Sequence, residues 1–188
     1  MKKRIGVLAL QGCVEPHKAH IEALGCEFVA VRKSSDFENL SGLILPGGES
    51  STMLKLLKVL EMENALENAL KKIPSWGICA GAILMAQKVI GFEQKSFGAL
   101  PIGVRRNAYG RQLDSFNTEI ANYEVSYIRA PIIEELINGP QTEVLAKQNE
   151  KATWIVSGKN MATTFHPELN LKTPSPMHQY FLEHCILN

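Results

Sequence analysis

Short apolar runs alternate with segments of helical pattern through the first half of this sequence, and this order limits the possible folds more than any other feature. Residues 4–10 are almost continuously apolar, which is typical of a parallel strand covered on both faces. The other elements predicted in this half are strands over residues 27–31, 42–45 and 76–78 and helices over residues 16–25, 53–60, 64–72 and 80–87. The alternation predicts an open parallel sheet with helices on both faces.

The second half of the chain has a different pattern. Between residues 98 and 147, clusters of Gly, Asn, Tyr and Val show little helical period and predict antiparallel strands added to the sheet. Two more strands are predicted over residues 153–156 and 161–165, before a last helix from about Ser175. That helix should bury the stripe Met177, Tyr180, Phe181, His184 and Cys185. Because no linker or repeat interrupts the 188 residues, a single domain over residues 1–188 is expected.

The composition of the chain argues against several classes of protein. With 20 Lys and Arg against 19 Asp and Glu, the net charge of +1 does not favour nucleic acid or an anionic membrane as a partner. No apolar run approaches the roughly 18 residues of a membrane span, and the first one is too short for a signal peptide. Four scattered cysteines without a CxxC pair fit a reducing cytoplasm, and three of them are expected to be small buried side chains.

The strongest chemical signal is the segment Gly77-Ile78-Cys79-Ala80-Gly81. It has the form Gly-x-nucleophile-x-Gly, in which a buried strand turns abruptly into a helix. The start of a helix favours a thiolate at Cys79, and the backbone N–H of Ala80 could point toward a developing oxyanion. The alternative is a buried cysteine in a tight, glycine-rich turn.

A base for that thiol is available in His166-Pro167-Glu168. Proline restricts the preceding His166 to extended geometry, in which residues i and i+2 point to the same side. Glu168 can therefore hold one ring nitrogen of His166 while the other nitrogen addresses Cys79. The segment follows a predicted strand, where open α/β sheets place their sites, although a surface turn is the alternative.

A third segment, Pro46-Gly47-Gly48-Glu49-Ser50, also follows a predicted strand. Adjacent glycines free the backbone to aim N–H groups at a ligand. A phosphate is disfavoured because no Gly-Lys-Ser/Thr follows and Glu49 would repel it, whereas Glu49 suits an α-ammonium group. The alternative is an ordinary strand–turn–helix connection in which Ser50 caps the helix.

Other polar residues are weaker candidates. Cys13, His17 and His20 have a loosely metal-like spacing but lack a fourth ligand, so a helix carrying two exposed histidines is expected instead of a metal site. Arg106 and Arg129 could hold a carboxylate by bidentate hydrogen bonds or be ordinary surface arginines.

Six stretches of the chain together match one family in order and spacing: GVLALQG (6–12), LILPGGES (43–50), GICAG (77–81), RNAYGRQ (106–112), IRAP (128–131) and FHPEL (165–169). They resemble the class I glutamine amidotransferases, and within that family the branch of glutaminase subunits that serve pyridoxal phosphate synthesis. The resemblance implies a flavodoxin-like, three-layer α/β/α sandwich. It also implies hydrolysis of glutamine to glutamate and ammonia without a cofactor.

The resemblance gives each matching residue an expected role. Cys79 would attack the side-chain amide and form a thioester, while His166, oriented by Glu168, would pass a proton to the departing ammonia. The N–H groups of Gly48 and Ala80 would hold the oxyanion. The implied glutamine-binding positions are Gly48, Glu49, Ser50, Arg106, Ile128 and Arg129.

The resemblance also implies a partner. Ammonia would pass through a tunnel to a separate synthase subunit, which builds pyridoxal phosphate from a pentose phosphate and a triose phosphate. The glutaminase would be nearly idle until that subunit docks, in a ring of twelve subunits of each kind. The chain departs from the family over residues 170–176, and Cys13 and Pro16 are unusual in a region that faces the partner.

Three other interpretations remain open at this stage. One is the glutaminase subunit of another amidotransferase, such as imidazole glycerol phosphate synthase, although that branch typically has Leu at the position of Ala80. Another is a stand-alone peptidase or stress protein with a cysteine elbow, which would not need the Gly48-Glu49 loop. The third is an inactive binding module, against which the complete set of Cys79, His166 and Glu168 argues.

Overall fold

The computed structural model describes residues 2–106, 115–137 and 142–187. Its strands are β1 (Arg4–Leu8), β2 (Glu27–Val31), β3 (Gly42–Leu45), β4 (Ser75–Ile78), β5 (Ala86–Ile90), β6 (Leu100–Arg105), β7 (Phe116–Ile120), β8 (Tyr123–Tyr127), β9 (Ile132–Leu136), β10 (Thr142–Gln148), β11 (Lys151–Ser157) and β12 (Asn160–Thr163). Its α-helices are α1 (Pro16–Ala23), α2 (Ser50–Val59), α3 (Glu63–Lys72), α4 (Ala80–Met85) and α5 (Pro176–Tyr180).

The central sheet has the order β2-β1-β3-β4-β12-β11-β9-β6-β5. Its first five strands are mutually parallel, and β11, β9 and β6 continue it in antiparallel pairing. Strand β10 pairs with β11, and β7 and β8 form a separate hairpin. The prediction of a mostly parallel sheet extended by antiparallel strands is therefore confirmed.

Alternate side chains of the parallel strands enter two hydrophobic clusters, one on each face of the sheet. In β3, Leu43 and Leu45 pack with the apolar residues of α2, α3 and α4. Ile44 points to the other face, where Ile21 of α1 and Phe181 pack against it. This alternation follows from the two-residue period of a strand. The result is three layers, and the carboxyl ends of the parallel strands meet at one edge of the sheet.

Two predicted helical features are wrong. The helix predicted over residues 80–87 ends at Met85, because the following residues pair as β5 with β6. The cap of α2 is Glu49 rather than Ser50: the Glu49 carboxylate accepts hydrogen bonds from the N–H groups of Ser51 and Thr52, at 3.5 and 3.4 Å.

The last helix begins where predicted, with Ser175 as its cap, but its buried face differs from the predicted stripe. Met177 and Cys185 are buried, whereas His184 is exposed and Tyr180 only half-buried. The reason is that Phe181–Ile186 form a π-helical turn, whose i→i+5 hydrogen bonds change the angular spacing on which the prediction relied. Within the residues described, no helix combines the length and apolarity needed to cross a membrane.

Candidate active site

Cys79 lies on a strained elbow between β4 and α4. Its backbone has φ 49° and ψ −103°, a region that L-residues rarely adopt, and its N–H donates to the Thr163 carbonyl of β12 at 2.8 Å. Both glycines of the segment are needed for close packing. A Cβ on Gly77 would lie 2.6 Å from the Gly81 carbonyl oxygen, and one on Gly81 would lie 2.0 Å from the Leu45 oxygen. The elbow between β4 and α4 thus places the thiol at the carboxyl edge of the sheet.

His166 and Glu168 form a buried pair after β12. His166 is extended, and its Nδ1 lies 2.7 Å from Oε1 of Glu168. The His166 N–H donates to the Ser126 carbonyl at 2.8 Å, which fixes the backbone of the turn to β8. The ring lies directly over Gly47, where a Cβ would be 2.1 Å from Cε1 of His166. Any larger residue at position 47 would displace the imidazole.

The electrostatics of this pair favour an imidazolium and a carboxylate. Burial lowers the pKa of His166, but hydrogen bonding to the thiols of Cys13 and Cys79 and to Glu168 outweighs burial, so its pKa lies above the ordinary value. Burial raises the pKa of Glu168, yet the hydrogen bond from His166 and the positive charges nearby bring it below the ordinary value. His166 can therefore hold a proton beside the Cys79 thiol.

Two loops at the same edge are tied to each other. The N–H of Cys13 donates to the Gly47 carbonyl at 2.9 Å, and the N–H of Glu49 donates to the side chain of Gln11 at 2.8 Å. A Cβ on Gly48 would lie 2.5 Å from Oε1 of that glutamine. The loop after β1 therefore fixes the position of the glycine loop after β3.

An ion pair lies at the rim of the site. Nη2 of Arg106 is 2.6 Å from Oε1 of Glu49, and the guanidinium also lies 4.8 Å from the ring centre of Phe92. Gln94 accepts hydrogen bonds from both Arg106 and Ser50. Burial raises the pKa of Glu49, but the hydrogen bonds from Ser51 and Thr52 and the charge of Arg106 together outweigh burial, so its pKa lies below the ordinary value and Glu49 is ionised.

These groups surround one cavity of about 340 Å³. The structure brings every residue that was given a catalytic or glutamine-binding role to its wall, except Glu168, which lies behind His166; the metal candidates His17 and His20 do not line it. The wall consists of Gln11, Cys13, Gly48, Glu49, Ser50, Cys79, Ala80, Ile83, Arg106, Ile128, Arg129, Pro131 and His166. Residues 107–112, which carry part of the family resemblance, lie outside the described residues.

Sequence reasoning missed several residues at the cavity. Gln11 and Cys13 follow β1, so the rule that parallel strands present their carboxyl ends at one edge could have identified them. Ile83 carried no signal that separates it from an ordinary buried residue, and Pro131 was part of the matching stretch 128–131 without an assigned role. Gln94, which accepts hydrogen bonds from Ser50 and Arg106 at the rim, carried no signal either. Cys13 is half-exposed at the cavity, so the expectation of three simple buried cysteines fits only Cys26 and Cys185, and all four cysteines are free thiols.

The expectation of two exposed histidines on α1 is wrong. His17 and His20 are 0% and 1% exposed, because α1 packs against the turn that carries Glu168. Among the described residues, Cys13, His166 and Glu168 place potential metal-ligand atoms within 4.8 Å of one another. Nδ1 of His166 and Oε1 of Glu168 in that set are already hydrogen-bonded to each other.

The fold and the site together define a class of protein. A parallel α/β sheet with a cysteine on its strand-to-helix elbow, and with a His-Glu pair at the end of a neighbouring strand, is typical of α/β enzymes that use a nucleophile elbow.

Comparison with known proteins identifies the family within that class. The model of the SNO glutamine amidotransferase family matches residues 7–187. The pyridoxal 5'-phosphate synthase subunit PdxT of Koribacter versatilis (strain Ellin345) is 47% identical over 186 residues, which cover 96% of this chain and 94% of that protein. PdxT of Staphylococcus aureus (strain JH9) is 42% identical over 189 residues, covering 97% and 98%.

A solved structure described as a glutamine amidotransferase has a TM-score of 0.83 and 40% identity, and covers 95% of this chain and 97% of that one. The chain belongs to the SNO glutamine amidotransferase family. The resemblance seen in the sequence is confirmed. The family membership argues against the alternative of a stand-alone peptidase or stress protein.

Proposed function

We propose that this chain is the glutaminase subunit of a pyridoxal 5'-phosphate synthase, hydrolysing L-glutamine to L-glutamate and ammonia for a separate synthase subunit. The observation that carries the proposal is the cavity in which Cys79 faces His166, whose other ring nitrogen is held by Glu168 at 2.7 Å. The relatives described above are subunits of that synthase by name, and they align over nearly the whole chain.

In the first half of the reaction, the Cys79 thiolate attacks the side-chain amide carbon of glutamine. The negative charge that forms on the amide oxygen is held by the N–H groups of Gly48 and Ala80, the latter being a first-turn N–H of α4 without an intrahelical acceptor. His166 gives its proton to the departing nitrogen, so that ammonia leaves and a thioester remains on Cys79.

In the second half, His166 accepts a proton from a water molecule that attacks the thioester. Collapse of this second tetrahedral intermediate breaks the C–S bond and releases glutamate, and Cys79 returns to its thiolate with His166 protonated. Glu168 stays ionised throughout and holds His166 in one orientation, as the third member of a triad does.

The charges at the rim suit the two ends of an amino acid. Glu49 binds the α-ammonium group, and Arg106 and Arg129 bind the α-carboxylate, with Ser50 and Ile128 completing the wall. Without substrate, Glu49 and Arg106 neutralise each other at 2.6 Å. Glutamine therefore exchanges this internal ion pair for two ion pairs with its own charges.

The wider setting is part of the same proposal. The chain acts as a single glutaminase domain over residues 1–188 and assembles with the synthase subunit in a ring of twelve and twelve. We place it in the cytoplasm, because its four cysteines are unpaired thiols, the state that a reducing compartment maintains.

The test is release of ammonia from glutamine by the purified chain, alone and mixed with the synthase subunit of the same organism. We expect turnover to rise sharply on mixing, and the mass of the mixture to match twelve copies of each subunit. Equal turnover with and without the synthase subunit would remove the partner from the proposal. Hydrolysis that persists in a Cys79→Ala variant would remove the mechanism.

A further inference from the structure

Four buried polar side chains lie behind Glu168, and the mechanism above does not use them. His17 and His20 belong to α1, Ser175 caps α5, and His178 lies in the first turn of that helix. All four are at most 3% exposed, and the rings of His20 and His178 stack with centroids 4.4 Å apart. Polar groups buried this deeply are almost always hydrogen-bonded, so the donor and acceptor of each bond can be used to assign the ring protons of the histidines.

The direction of the bonds follows from Ser175. Its Oγ accepts a hydrogen bond from the His178 N–H at 3.2 Å and lies 2.6 Å from Nδ1 of His178. Ser175 is fully buried and the described residues offer its hydroxyl proton no acceptor other than Nδ1, so we assign the proton to that bond, which leaves the ring proton of His178 on Nε2. That Nε2 lies 2.8 Å from Nδ1 of His17, and with this assignment it is the donor. His17 in turn carries its proton on Nε2.

Both rings are neutral, as this order of bonds requires. Burial lowers the pKa of His17 to about 4 and lowers that of His178 well below its ordinary value. Next to burial, the strongest influence on the pKa of His17 is the negative charge of Glu168, which raises it. That charge acts from the side of the turn after β12, against which α1 packs.

One buried donor and one buried acceptor in this region have no hydrogen-bond partner in the part of the chain that the structure describes. Nε2 of His17, a donor by the preceding argument, and Oε2 of Glu168, an acceptor, have no hydrogen-bond partner among the described residues. A buried carboxylate oxygen without a donor is costly, and so is a buried N–H without an acceptor. Each atom supplies what the other needs.

His20 fixes the same turn through the main chain. Its Nδ1 accepts a hydrogen bond from the Ser175 N–H at 3.0 Å, so its proton is on Nε2, which faces the Glu168 carbonyl at 3.4 Å. Two histidines of one helix are thus linked to Glu168: His20 faces its backbone carbonyl, and the pKa of His17 responds to the charge of its side chain.

We propose that His17 is a positioning residue of the triad, whose Nε2–H is donated to Oε2 of Glu168 through one bridging water molecule, since the two atoms form no direct hydrogen bond. Oε1 of Glu168 then holds His166 while Oε2 is held by His17, so the carboxylate cannot rotate. The chain Ser175–His178–His17–Glu168–His166 keeps Nε2 of His166 directed at Cys79. This inference rests on the proposed glutaminase activity.

The test compares His17→Phe with His17→Gln in the complex with the synthase subunit. Phe removes the donor, whereas the Gln amide can accept from His178 and donate to Glu168. We expect His17→Phe to lower kcat for glutamine hydrolysis roughly tenfold to a hundredfold with little change in KM, and His17→Gln to retain most of kcat. Equal loss in both variants, or a loss confined to KM, would overturn the proposal.

The pH profile and a double mutant distinguish positioning from a structural effect. The titratable groups that face His17 are His178 of α5, His20 of its own helix, and His166 and Glu168 of the turn after β12. Without the donor, the pKa of Glu168 rises, so the acid limb of kcat should move to higher pH in His17→Phe. In a Glu168→Gln background, the same replacement should cost much less. The proposal would be contradicted if the two replacements lowered kcat additively, or if the acid limb of the kcat profile did not move in His17→Phe.

The wild-type protein offers a measurement that does not depend on variants folding or on activity. Nitrogen NMR spectra of histidine-labelled protein should show His17 as the Nε2–H tautomer. A proton on Nδ1 of His17 would overturn the inference and leave the proposed function standing. Conversely, hydrolysis by Cys79→Ala would defeat the proposed function without changing that tautomer.

Discussion

Histidines lie equally deep on the two sides of Glu168, and their pKa values shift in opposite directions. Burial lowers the pKa of all of them, but at His166 the hydrogen bonds to the thiols and to Glu168 reverse the effect. At His17 the charge of Glu168 opposes burial without outweighing it, and at His178 the neighbouring His17 and His20 lower the pKa further. On the front side of Glu168, toward the cavity, the imidazole of His166 holds a proton. On the rear side, toward α1 and α5, the imidazoles of His17 and His178 stay neutral. Depth alone therefore does not decide the charge of a buried histidine; its partners do.

The largest expected effect is on the front side, where the thiol reacts. Replacing Cys79 by Ala removes the nucleophile, so ammonia release should fall about a thousandfold or more. The assay is glutamine turnover in the complex with the synthase subunit. Cys185→Ala is the matched control, since Cys185 is buried in the hydrophobic cluster beneath α5, and it should keep its activity. Similar losses in both variants would mean that the effect is one of folding.

The second prediction concerns the rear side and the pH dependence of stability. His17 has a pKa lowered from 6.5 to about 4, so it binds a proton more readily in the unfolded chain. Its contribution to stability is present above pH 6.5 and is lost as the pH falls toward 4. His17→Gln should remove about 3 kcal/mol of this acid-induced loss, a shift of roughly 2.5 pKa units.

Thermal unfolding measured between pH 7 and pH 4 checks this prediction. The wild-type melting temperature should fall more steeply with acid than that of His17→Gln. If the melting temperatures of the two proteins fell in parallel with pH, His17 would not be held neutral in the folded state. The difference in pKa between His166 and His17 would then disappear.

Third, the position of the front imidazole depends on Gly47. A Cβ there would lie 2.1 Å from Cε1 of His166, so Gly47→Ala should push the ring away from Cys79 and lower kcat about a hundredfold. Gly42→Ala is the control, because its Cβ would meet side-chain atoms of Ile186 and Phe181, neither of which lines the cavity. An unimpaired kcat in Gly47→Ala would show that the turn after β12 can shift without consequence for the reaction.

The smallest effect is expected at the rim. Arg106→Leu should raise KM for glutamine about tenfold and change kcat less, since the lost ion pair acts on binding. The neighbouring Arg105 pairs with Glu134 on the surface and does not line the cavity, so Arg105→Leu should leave KM unchanged. If both variants raised KM alike, the effect would come from the general field of positive charge.

The front side could be predicted from sequence because its residues follow strands. Cys79 and His166 come directly after apolar runs, Glu49 follows another after three residues, and parallel strands bring their carboxyl ends to one edge. The extent of α4 could not be predicted in the same way. Residues 86–90 suit a helix or a strand locally, and their pairing with β6, some fourteen residues further on, decides the outcome.

The rear side could not be predicted because its partners are distant in the chain. His17 and His178 are 161 residues apart, and nothing in the pattern of α1 indicates that α5 and the turn after β12 will cover it. A short helix with His at two positions three apart has the local pattern of a solvated face. Only the packing of α5 beside α1 gives these rings their hydrogen-bond partners and excludes water from them.

The ion pair between Glu49 and Arg106 has a consequence for selectivity. In the proposed binding mode, zwitterionic glutamine gives each member of this pair a new partner of opposite charge, so neither Glu49 nor Arg106 is left unpaired. A ligand with only an ammonium or only a carboxylate group would free one member of the pair and leave it bare. The Glu49–Arg106 pair therefore favours ligands that carry both an ammonium and a carboxylate group.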